Sequence, residues 1–157
     1  PVDADTVLTY STKDYRRINR GLREGIILPE TADLDRLIKA SRLQDAPMLY
    51  RGVASDKWDP HPIVNAIKTG KLGVGDSFSD AAYSSTSLNA EIGLSFGGRG
   101  KDSMLIRIHA QNGAPGMPTG ISAFHEQEVI LPRDAEFLIT GVTTNEKGLT
   151  IVDVAYG

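Results

Sequence analysis

Two glutamates, Glu126 and Glu128, are separated by one residue in the stretch HEQEVILP. On an extended chain both side chains leave the same face, because strand side chains repeat every two residues. Carboxylates held that close repel each other, so the pair needs a reason to exist. The plain reading is an exposed strand start with both groups in water. The other follows from their place, after a long loop and just before the apolar run Val129 to Leu131. A carboxylate pair at a core boundary is more often functional than one on a helix surface.

Three further stretches carry chemistry-bearing residues. Arg51 stands in YRG at the end of a strand candidate. Alone it reads as a solvated edge arginine, or as a bidentate clamp for a phosphate or carboxylate, with Gly52 allowing close approach to the backbone. Ser84-Ser85-Thr86-Ser87 is a hydroxyl run on or beside a strand. No G-x-S-x-G elbow surrounds it, so a nucleophilic serine is not supported, whereas a hydroxyl that orients a carboxylate is. FGGRG, residues 96 to 100, could cradle a phosphate through backbone N–H groups, with Arg99 adding charge. It lacks the Gly-Lys-Ser/Thr end of a Walker loop, and a plain turn is the commoner use of such a stretch. His61, His109 and His125 have no paired metal spacing, and the chain has no cysteine, so no metal site is expected.

The order of these stretches says more than any one of them. Arginine in Y-R-G, then S-T-S, then E-x-E resembles the signature of the arginine-specific mono-ADP-ribosyltransferases, the R-S-E class. The chain is similar to the catalytic domain of bacterial ADP-ribosylating exotoxins, from about Tyr10 to Tyr156. GDSFSDAAYSSTS resembles the family's approach to its serine triplet. Tyr15 and Asn19 in DYRRINRGLR resemble its Y-x-x-x-N helix beside the NAD cleft. Phe96 and Arg99 resemble its phosphate–nicotinamide loop, and Gly113 to His125 its substrate-recognition loop. Phe124 then becomes a substrate contact, with simple core packing as the alternative.

The resemblance implies transfer of ADP-ribose from NAD+ to an arginine side chain of a target protein, with release of nicotinamide. The N-glycosidic bond would break through an oxocarbenium-like state, as in glycoside hydrolysis. Glu128 would stabilise that cation through a ribose hydroxyl, and Ser85 would hold Glu128 in place. Arg51 and Arg99 would bind the NAD phosphates, and Gly52 the nicotinamide amide. Tyr15, Asn19 and Phe96 complete the implied NAD site. Glu126 would face the acceptor, orienting the guanidinium and taking its proton. Relatives that modify asparagine typically carry glutamine at that first position, so glutamate here favours arginine. The implied protein is a toxin or effector, secreted or delivered into a target cell and acting in its cytoplasm, with any delivery domain outside this chain.

Elements must position these residues. STKDYRRINRGLREG and TADLDRLIKASRL read as amphipathic helices, the first stopping at Gly25 and the second placing Leu34, Leu37, Ile38 and Ser41 on one side. MLYRG is a strand, and DPHPIVNAIKTG a third helix capped by Asp59 with Pro60 in its first turn and Gly70 at its end. Tyr83 to Thr86 is a strand, and a short helix follows, capped by Asn89. SMLIRIHA alternates Met104, Ile106 and Ile108 against Leu105, Arg107 and His109. EVILP, AEFLITGVTT and LTIVDVAY are strands, the last two joined through a hairpin turn at Asn145 to Gly148. Helices first and strands afterwards argue α+β. The resemblance sharpens this to the ADP-ribosyltransferase fold: two roughly perpendicular, mainly antiparallel sheets around an NAD cleft, with N-terminal helices alongside. A single catalytic domain over residues 1–157 is expected, helical to 47 and mainly β from 48.

Composition narrows the classes. At 157 residues, 40% hydrophobic and 24% charged, the chain can bury a real core. A net charge of −3 without a long basic run does not suggest a nucleic-acid surface. No apolar stretch approaches a membrane span. The chain starts at Pro1, which suggests a processed protein or an excised domain. Three other functions compete. An NAD+ glycohydrolase would use water as the acceptor. A carbohydrate hydrolase fits poorly, because same-face glutamates cannot flank a bond. The non-enzymatic alternative is a binding module with an incidental E-x-E.

Overall fold

The computed structural model describes residues 21–22, 24–27, 29–55, 60–91, 103–118 and 128–157. Helix α1 spans Glu30–Ala40 and leads into strand β1, Met48–Ala54. Helix α2, Pro62–Lys68, precedes the short β2, Ser77–Ser79, and β3, Ser84–Ser87. Then come β4, Ser103–Ala110; β5, Met117–Pro118; β6, Glu128–Leu131; β7, Glu136–Thr144; and β8, Thr150–Tyr156. Among the described residues this is an α+β arrangement, with hydrogen-bonded strand order β2-β7-β8-β4-β1-β3-β6-β5.

The order divides into a broad part and a narrow one. β1 pairs with β4 over seven registered residues, β4 with β8 over seven, and β7 with β8 over six. β4 and β8 run parallel and every other pair is antiparallel, so the sheet is mixed. β1 meets β3 at one registered pair, Tyr50 opposite Ser87. Beyond that joint, β3, β6 and β5 form a ribbon of their own. Where two sheets were expected, the described strands hydrogen-bond as one eight-stranded sheet that narrows to one ladder position at this joint.

Two apolar clusters fill the two parts. The larger holds Leu49, Val53, Met104, Ile106 and Ile108 with Val64, Ile67, Phe137, Ile139, Val152 and Val154. The alternation expected for β4 holds in its second half: Met104, Ile106 and Ile108 are buried, while on the other face Arg107 is half-buried and His109 exposed but Leu105 is buried as well. The smaller cluster seats α1 on the ribbon, with Leu34 and Ile38 against Tyr83, Met117 and Ile130 and with Leu37 at its margin. β6 serves both clusters because its side chains alternate, Val129 and Leu131 to the larger and Ile130 to the smaller.

Several boundaries differ from expectation. α1 stops at Ala40, where Ser41 turns to extended backbone and its hydroxyl donates to the Leu37 carbonyl at 3.0 Å. α2 starts at Pro62 with His61 as its cap residue, so the proline in the first position is Pro62 rather than Pro60. Asp59 lies outside the described residues. Two consecutive X-Pro steps explain the delay, since each proline pushes the residue before it out of the helical region. β3 runs from Ser84 to Ser87, one residue later than expected. β2 and β5 were not anticipated; both are too short to show an alternation. The glycine stops hold, with Gly25 at φ 81° and Gly70 at φ 80°, in the left-handed region.

Candidate active site at the joint of the sheet

β3 and β6 lie antiparallel with Ser87 opposite Glu128, Thr86 opposite Val129, Ser85 opposite Ile130 and Ser84 opposite Leu131. Directly opposed residues share a face, so Ser85, Ser87, Glu128 and Ile130 point to one side and Ser84, Thr86, Val129 and Leu131 to the other. Ser85 is the diagonal neighbour of Glu128, and Ser87 its direct one. The hydroxyl run is therefore split by the pleat. Thr86 is fully buried on the core side, and its hydroxyl donates to the Val129 carbonyl at 2.7 Å.

Glu128 is only 4% exposed. A carboxylate so far out of water needs polar neighbours, since an isolated buried charge is very costly. Two hydroxyls, those of Ser85 and Ser87, lie on its own face of the ribbon. Ser87, fully buried, accepts a hydrogen bond from the Asn89 N–H at 3.0 Å, which leaves its own proton as the donor. Asn89 accepts from the Glu91 N–H at 2.9 Å, the cap expected from sequence.

Arg51 belongs to β1, one residue beyond the joint. Its Nη1 donates to the Ser85 carbonyl at 3.5 Å, a long bond that spans the opening between β1 and β3. Gly52, next to it, is buried and pairs with Leu105. The fold thus brings Arg51, Gly52, Ser85 and Glu128 to one joint from three strands. Tyr15, Asn19, Phe96, Arg99, Phe124 and Glu126 lie outside the described residues.

A crevice of about 20 Å³ opens beside Arg51, with His61, Asp80, Ser84, Phe78 and Phe137 in its walls. That volume suits one water-sized molecule and not a dinucleotide. Ser84 points into it, on the face opposite Ser85 and Glu128.

Two charged clusters were not anticipated. On α1, the Asp35 carboxylate accepts from Arg133 Nε at 3.0 and 3.1 Å and from the Tyr83 hydroxyl at 2.6 Å. Arg133 is held protonated above its ordinary range, chiefly by that bond to Asp35. On β4 and β8, Arg107 grips Asp153 through Nε and Nη2, both at 2.8 Å, and His109 Nε2 stands 2.9 Å from the same carboxylate. Arg107, and then His109, hold the Asp153 carboxyl below the usual carboxylate range against the opposing effect of burial. Sequence offered no signal for either cluster, because the partners are 98 and 46 residues apart.

Residues 1–154 match the family model described as ADP-ribosyltransferase exoenzyme. No curated protein matches the chain. Among solved structures it is similar to Plx2a, an ADP-ribosyltransferase toxin from Paenibacillus larvae, with 22% identity and a TM-score of 0.78 over 98% of this chain and 85% of that one. It is similar to the Clostridium limosum C3 exoenzyme, with 19% identity and a TM-score of 0.76 over 99% and 85%. Exoenzyme S from Pseudomonas aeruginosa, in complex with human 14-3-3 protein beta and bound to Carba-NAD, gives 16% identity and a TM-score of 0.76 over 99% and 74%. At such identities the likeness is one of fold.

Proposed function

The chain belongs to the ADP-ribosyltransferase exoenzyme family, and from that premise we propose that it transfers ADP-ribose from NAD+ to an arginine side chain of a target protein. The observation that carries the reading is the buried Glu128, opposite Ser87, diagonal to Ser85 and beside the strand of Arg51. A fixed carboxylate in a largely dry site suits a reaction whose transition state is cationic at the sugar. A similar structure, of a protein from S. aureus, was solved with NAD, which supports the same co-substrate here.

In this reading Arg51 and Arg99 hold the phosphates, Gly52 accommodates the nicotinamide amide, and Tyr15, Asn19 and Phe96 line the NAD site. The ribose–nicotinamide bond breaks and its electron pair leaves with nicotinamide. Glu128 stabilises the resulting oxocarbenium through a ribose hydroxyl, with Ser85 and Ser87 orienting the carboxylate. An arginine nitrogen of the target then bonds to the sugar carbon, and Glu126 takes the proton it gives up. Phe124 contacts the target surface. Residues 1–157 act as one catalytic domain, secreted or delivered to work inside a target cell.

The test uses labelled NAD+ with a cell lysate and compares nicotinamide release with label incorporated into protein. Glu128→Ala should abolish both. Glu126→Gln should keep NAD+ cleavage and lose transfer to arginine. Retained transfer in Glu126→Gln would remove arginine activation from that residue. Nicotinamide release by the wild type with no labelled protein would make water the acceptor and the protein an NAD+ glycohydrolase.

A further inference from the structure

The ribbon that carries Ser85, Ser87 and Glu128 joins the broad part of the sheet at the Tyr50–Ser87 pair, with Arg51 reaching the Ser85 carbonyl. The far edge of the ribbon is β5, two residues long. Val129 and Leu131 also pack the ribbon against the broad part, but such non-directional apolar contact leaves its angle to be set at the other end.

Asp35 of α1 stands at that other end. Tyr83 immediately precedes β3, and Arg133 follows β6 by two residues. Both reach the same carboxylate: Arg133 through Nε at 3.0 and 3.1 Å and Nη2 at 2.9 Å, Tyr83 through its hydroxyl at 2.6 Å. The Tyr83 hydroxyl also lies 3.1 Å from the Thr31 carbonyl, one turn back on α1. Backbone ties close the same end, with the Asp134 N–H on the Asp80 carbonyl at 2.8 Å. The helix therefore holds both strands of the ribbon at once, through residues four positions from Ser87 and five from Glu128, or roughly 13–17 Å along the strands.

Apolar contacts with Leu34 and Ile38 would seat the helix without any charge. They are non-directional and allow sliding. A guanidinium–carboxylate contact through two nitrogens sets an angle as well as a distance, whereas a half-buried ion pair adds little net stability. Its value here is orientation.

We propose that Asp35, Tyr83 and Arg133 are positioning residues that set the angle of the β3–β6 ribbon and hence the place of the Glu128 carboxylate. This rests on the ADP-ribosyl transfer reading. Displacing a catalytic group by about 1 Å can cost up to a hundredfold in rate.

The experiment measures nicotinamide release from NAD+ by the full chain and its Arg133→Lys and Tyr83→Phe variants, with hydrogen exchange on the same proteins. Arg133→Lys keeps the charge and loses the two-nitrogen grip. Its expected kcat is down about tenfold, with KM for NAD+ within about twofold. Tyr83→Phe removes one hydroxyl and is expected to lose several-fold. Exchange should quicken at residues 83–88 and 128–133 and stay unchanged in β7 and β8. An unchanged kcat overturns the proposal, whatever the exchange shows. So does exchange that quickens across the whole sheet, which would mean general destabilisation. Absence of nicotinamide release by the wild type would instead overturn the functional reading, and the proposal with it.

Discussion

Ser87 and Glu128 face each other directly across β3 and β6, at the residue where β3 also meets Tyr50 of β1. The sequence pattern pointed to Ser85 as the partner of Glu128. The register makes Ser87 the nearer neighbour and Ser85 the diagonal one. Both hydroxyls lie on the face of one carboxylate, and a hydrogen bond to a charged group is worth about 1.5–3 kcal/mol. Ser85→Ala and Ser87→Ala should each slow nicotinamide release by roughly ten- to a hundredfold. The double variant should lose less than the product of the two, because neighbours on a shared group are not additive. Steady-state kinetics on the three variants checks this.

Thr86 behaves differently from the serines on either side of it. Its hydroxyl faces the core and is satisfied by the Val129 carbonyl. Thr86→Val keeps the shape and removes the bond, at a cost of about 1 kcal/mol or somewhat more. Chemical denaturation should show that loss, while kcat of the folded variant stays close to wild type.

Asp153 makes acid stability predictable in sign. Its folded-state value lies below the ordinary 3.8, chiefly through Arg107. The stabilisation it contributes is complete above that ordinary value and is lost as pH falls through the lowered one. The Arg107 side chain is 39% exposed, so solvent screening keeps the effect modest. Melting temperatures recorded from neutral pH down to about pH 2 should fall more steeply below about pH 4 for the wild type than for Asp153→Asn.

Gly116 has no room for a side chain. A Cβ there would lie 2.8 Å from two carbons of Leu43, which is itself buried. Gly116→Ala should destabilise by about 1–3 kcal/mol through overpacking. Combined with Leu43→Ala, which makes room, the loss should fall short of the sum of the two single variants. Denaturant midpoints of the four proteins make the comparison.

Much of this protein was legible from local patterns. Helix periodicity located α1 and α2, the alternation in SMLIRIHA placed β4, and glycine stops marked Gly25 and Gly70, because each depends on residues a few positions apart. The order of Arg51, Ser85 and Glu128 pointed to the family for the same reason: a motif is a linear object. Boundaries near paired prolines and strands of two or three residues escaped, since neither leaves a period to read. Only the tertiary structure decided which serine stands opposite Glu128, because register is set by the burial of Val129, Leu131 and Ile130 in two separate clusters. It alone joined Asp35 to Arg133 across 98 residues and Arg107 to Asp153 across 46. Such pairs form only where packing has already brought distant charges together, and no spacing along the chain announces them.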